Sequence, residues 1–290
     1  MERKQSGLTN EQVKGIDPSV IAQVKELYAP QLAQLLSTAG KHHFRTLPFE
    51  AYAWDSTGFQ YAFLFKYPPD AANVEPKSLN DVIRSADSKF RLELKDRFRV
   101  AQTLAQAIGA FHSDGWLHKS ISSHAVKFFF LDEETCDFSS PYLTNFEFSR
   151  PEGGVTRRST VAVDTEQDIY RHPDRYGLPA GFSKIHDIFS FGVVLLEIGL
   201  WQTAKQMYDS IIKDGMGGKA PKEGVSAQII KDVYIRHAKA RLSHRMGLSY
   251  QEAVIACLEG RLDEYIGQRD FTDEFQKQVV QKVDIKAMLS

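Results

Sequence analysis

The segment "DIFSFGVVLLEIGLW", residues 187–201, is the feature that most limits what this chain can fold into. It is apolar on nearly every side of a helical projection, and Glu197 is its one charged residue after Asp187. A helix without a polar face is normally enclosed by other elements of the protein. The run is too short, and too interrupted by Glu197, to span a bilayer. We therefore expect a helical region built around this central helix.

Hydrophobic periodicity predicts several more helices around it. They are expected over Pro18–Gly40 with a kink at Pro30, from Ser78 over "SLNDVI", over 96–115, and over 225–243, 249–260 and 271–289. Two aromatic-rich runs, "PFEAYAWD" and "FQYAFLFKYP", flank Ser56–Gly58 and predict a strand–turn–strand unit, and "AVKFFFL" predicts a further short strand. A helix and strands come first and mostly helices follow, which indicates an α+β fold.

The composition excludes several classes of protein. Lys and Arg total 36 against 37 Asp and Glu, a net charge of −1, so nucleic-acid binding is not expected. Cys136 and Cys257 have no metal-ligand spacing, which argues against a disulfide framework or a cysteine zinc site. The N-terminal "MERKQSG" lacks the apolar core of a signal peptide. We expect a soluble cytoplasmic protein without a membrane span, acting on a protein partner that the sequence does not identify.

Four motifs follow one another in an order that resembles a known family. They are "LHKSISSHA", "LTNFEFSR", "YRHPD" and "DIFSFGVVLLEIGL". Together they resemble the second half of a protein kinase domain, which has H-R-D-L-x-x-x-N, D-F-G, A-P-E and a buried helix in this order. The amino-acid sequences of these motifs are also similar to those of the kinase-like domains of filamentous fungi. The resemblance covers most of the chain and implies a two-lobed kinase-like fold, with a truncated N-lobe over 1–68 and a mainly helical C-lobe over 69–290.

The sequence departs from the kinase pattern where the chemistry lies. After His118 and Lys119, Ser120 stands where the resemblance implies a catalytic carboxylate, and Ala125 stands where it implies a metal-binding Asn. Asn145 replaces the metal-binding Asp, and Glu147 replaces the Gly of the same motif. A serine hydroxyl is a poor base without an activating neighbour, and alanine offers no ligand. The loop therefore retains a kinase-like frame without the acidic groups of catalysis.

Other positions match the structural part of the pattern. The resemblance implies that His118 is a buried packing residue and that Phe146 packs beside it against the first helix. Asp187 is expected to cap the central helix and to bind the backbone at His118–Lys119. Asp174 is expected to pair with Arg245 or Arg261, or else to form an exposed salt bridge of little energy.

The nucleotide side of the pattern is incomplete. No G-x-G-x-x-G sequence occurs, and the resemblance offers only Lys4 and Glu26 as candidates for a nucleotide-binding ion pair, with Asn145 as a weak metal ligand. Both charged residues are equally well explained as solvated surface side chains. If Lys4 is the equivalent lysine, the first strands of the small lobe are missing. Aromatic residues such as Trp54, Phe59 and Tyr61 would then be exposed.

The polar segment 151–169 is expected to form a long surface loop. Within it, Arg157 and Arg158 precede Ser159 and Thr160, a pattern that a basophilic kinase phosphorylates and that is also common without any modification. A phosphate there would order the loop through neighbouring arginines.

Three functions remain open from the sequence. The first is a pseudokinase that regulates or binds a protein. The second is a divergent Ser/Thr kinase that uses ATP and Mg²⁺, with Asp132 or Asp137 as its base. The third is a helical interaction module that binds no nucleotide.

Overall fold

A computed structural model of the chain describes residues 29–38, 44–55, 60–153, 165–176, 181–215, 225–266 and 271–288. The α-helices are α1 Ala29–Thr38, α2 Leu79–Arg84, α3 Leu94–Ser113, α4 Thr165–Asp168, α5 Lys184–Leu200, α6 Ala204–Gly215, α7 Ala227–Glu259 and α8 Phe271–Phe275. The strands are β1 Phe49–Asp55, β2 Gln60–Phe65, β3 Lys77–Ser78, β4 Trp116–Leu117, β5 Val126–Phe128, β6 Tyr142–Leu143 and β7 Arg150–Pro151. The predicted α+β class is confirmed.

The strands form three small antiparallel sheets. β1 pairs with β2, with Tyr52 opposite Phe63, as predicted from the two aromatic runs. The other sheets have the orders β3-β5-β6 and β4-β7, and both lie within the part of the chain predicted to be mainly helical. The pair β4–β7 closes the loop that carries His118, because β4 ends one residue before it.

Helix α5 occupies the centre of the helical region, as its composition predicts. Apart from Lys184, Ile185 and Ser190, each of its residues is buried, and α3, α6 and α7 pack around it. Within the described part of the chain, no single helix is long and apolar enough to cross a membrane. The segments Lys184–Leu200 and Ala204–Lys213 reach that length and composition only when taken together across an 85° bend.

Close approach of α7 to α5 depends on glycine at residue 192. A Cβ added there would lie 2.7 Å from the Cβ of Cys257, an atom fixed to the backbone of α7. We predict that Gly192→Ala destabilises the fold by roughly 1–3 kcal/mol, because the helices would have to move apart. Chemical denaturation measures the loss. Gly181→Ala is the control, since its added Cβ meets no atom within 4 Å. Equal stability of the two variants would contradict the packing described here.

The N-terminal part is described from Ala29, so the start of the predicted first helix lies outside the described residues. Helix α1 buries Leu32 and Leu36, and Pro30 lies at its described beginning. The predicted aromatic surface is described only in part, since Phe59 and the side chain of Trp54 also lie outside it. Tyr61 is partly buried against Phe63, with ring centroids 6.4 Å apart.

The C-terminal helices are interrupted. The predicted helices over 225–243 and 249–260 are present as α7, whose helical backbone is broken at Gly247 (φ 79°, ψ 164°). The prediction of one helix over 271–289 is wrong. Residues Phe271–Phe275 are α-helical, Gln276–Val280 form a wider π-helical turn, and Ile285–Met288 form a 3₁₀ turn. The π turn advances the register, so that Phe275, Val279, Val280 and Val283 are all buried.

Candidate functional site

The site is built around the loop that follows α3. The helix ends at Ser113, Gly115 takes the left-handed conformation (φ 76°), and β4 leads into His118. Lys119 also has a positive φ of 71°, which is uncommon for a residue other than glycine. Such a conformation persists only where surrounding contacts hold it. The loop is therefore fixed by its neighbours.

Asp187 of α5 supplies the contacts that hold this conformation. Its Oδ2 accepts a hydrogen bond from the backbone N–H of His118, and its Oδ1 accepts one from the N–H of Lys119, both at 2.7 Å. His112 Nε2 lies 3.1 Å from the same Oδ2. Burial by itself raises the pKa of the Asp187 carboxyl, but the hydrogen bond and charge of His112, the charge of His118 and the hydrogen bond from Lys119 together hold the pKa below its usual value. The loop is thus anchored to the central helix by a buried carboxylate.

Asp187 binds the loop backbone as expected from sequence, but it is not the cap of α5. The N-cap is Ser183, which forms a reciprocal capping box with His186. The backbone N–H of Ser183 donates to His186 Nδ1 at 2.8 Å. Asp187 lies one residue further along, which turns its side chain away from the helix start and toward the loop.

His118 and Phe146 form the apolar floor of the loop. Their rings lie 4.8 Å apart, and both pack against Phe111 of α3 at 6.0 and 5.9 Å. Ser149 Oγ donates to the carbonyl oxygen of His118 at 3.0 Å. Phe146 therefore packs against α3, whereas the prediction was the first helix.

Three of the four positions that depart from the kinase pattern have described side chains. Ser120 donates its backbone N–H to His118 Nδ1 at 3.3 Å. Ala125 is fully buried, and its carbonyl oxygen accepts hydrogen bonds from the N–H and hydroxyl of Thr144 at 2.8 and 2.9 Å. Asn145 has a left-handed backbone (φ 67°) at the start of the 3₁₀ turn Phe146–Phe148. None of these three side chains carries a charge that would bind a metal ion or accept a proton at neutral pH.

Asp132 and Asp137, the alternative bases, both serve the turn that joins β5 to β6. Asp132 Oδ1 accepts the backbone N–H groups of Glu134 and Thr135 at 2.9 and 2.8 Å. Asp137 Oδ1 accepts the N–H of Ser139 at 2.8 Å. These contacts are those of local turn-forming carboxylates.

The side chain of Lys119 in this loop has an unusually low pKa for a lysine. Burial, together with the charges of Arg150 and Arg175, lowers its pKa to about 7 against the opposing charge of Asp187. Its ammonium lies 4.9 Å from the ring centre of Phe182. Three basic side chains therefore act on one partly buried region beside the loop.

A second buried carboxylate, Glu197 of α5, was not singled out by the sequence analysis. Its Oε1 accepts hydrogen bonds from Tyr170 OH, Ser123 Oγ and the backbone N–H of Ala204 at 2.8, 3.1 and 2.7 Å. Burial raises its pKa to about 7, although these three donors act in the opposite direction. The sequence contains an indication of this cluster, because a single carboxylate in an otherwise apolar helix needs hydrogen-bond partners.

The prediction that Asp174 pairs with Arg245 or Arg261 is wrong. Asp174 Oδ1 lies 2.8 Å from His172 Nδ1 and 2.9 Å from His186 Nε2. Arg245 donates to the carbonyl oxygen of Leu200 at 2.6 Å, and Arg261 pairs with Glu259 at 2.9 Å. The two histidines are held close to Asp174 by the 3₁₀ turn Pro173–Arg175 and by the start of α5, and so they satisfy its charge locally.

Four predicted site residues lie outside the described part of the chain. They are Lys4 and Glu26, proposed for nucleotide binding, and Ser159 and Thr160, proposed for phosphorylation. The side chain of Glu147 is not described either, although its backbone belongs to the turn Phe146–Phe148. Their roles stay predictions.

Comparison with known proteins adds two findings. A family model with the description "Domain of unknown function (DUF7580)" matches residues 54–283. Parts of the chain are also similar to three Arabidopsis thaliana proteins, each named a G-type lectin S-receptor-like serine/threonine-protein kinase. Identity is 30% and 29% over 122 residues and 28% over 125 residues. The matches span 42–43% of this chain but only 14–15% of the length of these relatives.

Proposed function

The chain belongs to the family described as domain of unknown function (DUF7580), and we propose that it is a kinase-like domain that performs no phosphoryl transfer and acts as a regulatory or protein-interaction module. Its kinase-like two-lobed fold, with lobes over 1–68 and 69–290, is part of this proposal. Partial similarity to proteins named as kinases supports the kinase-like part. Its location in the cytoplasm is also proposed, on the grounds that both cysteines are free thiols.

The proposal rests on two observations at the loop: how its carboxylate is bonded, and which residue stands at the position of the catalytic base. A protein kinase needs a carboxylate that accepts the proton of the substrate hydroxyl. The carboxylate that contacts this loop is Asp187, and both of its oxygens accept backbone hydrogen bonds from the loop. A fully buried carboxylate held in this way maintains the shape of the loop and is not exposed to a substrate. Ser120, at the position of the base, has no charge.

The residues present do not fit the magnesium shell that ATP-dependent transfer requires. Mg²⁺ takes oxygen ligands, preferably carboxylates and phosphates. Asn145 offers one neutral amide oxygen, and Ala125 offers a methyl group that is fully buried. We therefore derive no chemical step through ATP and magnesium, and the divergent-kinase alternative lacks both its base and its metal ligands.

Regulation through the segment 154–164 is a second part of the proposal. Ser159 and Thr160 lie in the sequence between Arg150 and Arg175, the two arginines whose charges act on Lys119. A phosphate group brings roughly two negative charges and three acceptor oxygens, which suit such a basic region. Phosphorylation of Ser159 or Thr160 by another kinase would thus add negative charge to the chain between these arginines and change the surface offered to a partner.

The experiment is a transfer assay with labelled ATP and Mg²⁺, using the protein itself and a general Ser/Thr substrate. We predict no incorporation above background. The informative variant is Asn145→Gly, because glycine accepts the left-handed backbone at φ 67° and the substitution removes the whole side chain, the candidate amide ligand included. It should behave as the unmodified chain does. Magnesium-dependent incorporation that Asn145→Gly abolishes, with stability preserved, would overturn the proposal.

A thermal-shift titration with ATP then separates the remaining alternatives. A ligand that binds only the folded state at about 100 times its dissociation constant adds about 2.7 kcal/mol to stability. A saturable shift without transfer would identify a nucleotide-binding pseudokinase. No shift at millimolar ATP would identify the interaction module that binds no nucleotide.

A further inference from the structure

The cluster of His172, Asp174 and His186 brings three metal-binding side chains to one point. One ligand atom from each residue lies within 4.8 Å of the other two. Asp174 Oδ1 is the shared centre, 2.8 Å from His172 Nδ1 and 2.9 Å from His186 Nε2. The ligands come from two separate pieces of chain, the 3₁₀ turn Pro173–Arg175 and the first turn of α5.

The distances suit a small tetrahedral ion. Zinc binds imidazole nitrogen and carboxylate oxygen at about 2.0–2.2 Å, which places neighbouring ligand atoms about 3.3 Å apart. The two histidine–aspartate distances would each have to lengthen by about 0.5 Å to reach that geometry. The two histidine nitrogens already lie within 4.8 Å of each other. Two imidazoles and one carboxylate favour zinc and its neighbours over magnesium or calcium, which prefer oxygen ligands alone.

The histidine rings are held in place by aromatic neighbours. The centroid of His172 lies 5.1 Å from that of Phe189, and the centroid of His186 lies 4.8 Å from that of Phe182. His186 is only 2% exposed, so its ring has little freedom to turn away. A binding site whose ligands are already oriented loses little conformational entropy when the ion enters.

His186 also has the outer contact that a metal-binding histidine requires. Its Nδ1 lies 2.8 Å from the backbone nitrogen of Ser183 and 3.2 Å from the backbone oxygen of the same residue. When Nδ1 is unprotonated it accepts from that nitrogen, and Nε2–H points at Asp174. When Nδ1 carries the proton it donates to that oxygen, and Nε2 presents its lone pair to an ion. The metal-binding tautomer therefore gains a hydrogen bond to the Ser183 carbonyl oxygen and gives up the shorter one from the Ser183 N–H.

Charge and exposure both permit entry of an ion. The side chain of Asp174 is 40% exposed, which leaves an approach from solvent and room for a water molecule as fourth ligand. Asp263 interacts electrostatically with the same region: burial is the main cause of its raised pKa, and the negative charge of Asp174 adds to it.

We propose that His172, Asp174 and His186 bind one divalent transition-metal ion of the zinc class, with its fourth position open to solvent. The ion would fasten the turn Pro173–Arg175 to α5. This proposal is independent of whether the chain transfers phosphoryl groups. The competing state of the same atoms is a hydrogen-bonded His–Asp–His cluster with no ion.

The test is a titration of the full chain, first stripped of metal with a chelator, with Zn²⁺ and with Co²⁺. We expect saturable binding of one ion per chain, a saturable rise in melting temperature with Zn²⁺, and visible absorption bands of four-coordinate Co²⁺. His172→Gln and Asp174→Asn should each weaken binding by more than about 10-fold. His244→Gln, which removes an exposed histidine of α7, should leave the affinity unchanged.

Two results would overturn the proposal. One is the absence of saturable binding at micromolar metal, and the other is full affinity in both His172→Gln and Asp174→Asn. The melting curves of the metal-free variants establish that they fold. Asp174→Asn keeps the size of the side chain, so it remains decisive if His172→Gln does not fold.

Discussion

Asp187→Asn should be among the most destabilising conservative substitutions in the helical region, at a cost of roughly 3 kcal/mol. The carboxylate is fully buried and accepts the backbone N–H groups of both His118 and Lys119. In the amide, one of the two acceptor oxygens becomes an NH₂ group. One buried N–H then faces another donor, whichever way the amide is turned.

The measurement is thermal or chemical unfolding of the variant beside the unmodified chain. For a domain of this size the loss corresponds to a fall of about 6–12 °C in melting temperature. Asp209→Asn is the matched control, because that carboxylate is half-exposed and pairs with Lys205 on the surface of α6. Surface pairs contribute little, so the control should melt close to the unmodified chain. Equal melting of the two variants would mean that Asp187 does not anchor the loop.

The central features of the fold were predictable because each depends on neighbouring residues in sequence. The apolar helix α5 and the amphipathic helix α3 follow from periodicity, and β1 and β2 follow from alternating aromatic runs around a turn. Helix α2 has Ser78 as its N-cap, as expected, and Asp81 completes a capping box. These signals are local in sequence, and the tertiary contacts of the fold favour the same helices and strands.

Helix α6 was missed although a local signal for it exists. Thr203 Oγ1 accepts the backbone N–H of Gln206 at 3.2 Å, and Gln206 Oε1 accepts the N–H of Thr203 at 2.9 Å. This is a capping box with threonine and glutamine three residues apart, a pattern that marks a helix start. Helix α6 begins shortly after the end of α5, and its sequence "AKQMYDSIIKDG" is largely polar, so it does not continue the apolar pattern of α5.

The side-chain partners in the site were not predictable from local pattern. Glu197 meets Ser123 and Tyr170, which lie 74 and 27 residues away, and only the folded chain brings them together. Asp174 was assigned an arginine partner by analogy, whereas His172 and His186 occupy the space beside it. Residues with reactive side chains could be recognised from the sequence. Their partners could not, because these depend on how α5 packs against the segment that precedes it.

Glu197 should make the stability of the protein depend on pH in a direction opposite to that of an ordinary surface carboxylate. Burial raises its pKa from 4.5 to about 7. Between these values the folded state binds the proton more tightly than the unfolded state does, so stability falls as the pH rises. The full displacement corresponds to about 3 kcal/mol, present below pH 4.5 and lost once the pH has passed about 7.

Glu197→Gln isolates this contribution from that of every other titrating group. Glutamine is uncharged at all pH values and keeps an oxygen for Tyr170, Ser123 and the N–H of Ala204. The free energy of unfolding, measured from pH 4.5 to 8, should rise in the variant relative to the unmodified chain by about 3 kcal/mol across this range. Glu252→Gln, a partly exposed carboxylate paired with Lys282, is the control and should leave the profile unchanged. If the difference between Glu197→Gln and the unmodified chain is the same at every pH, Glu197 does not titrate in this range, and its hydrogen bonds outweigh its burial.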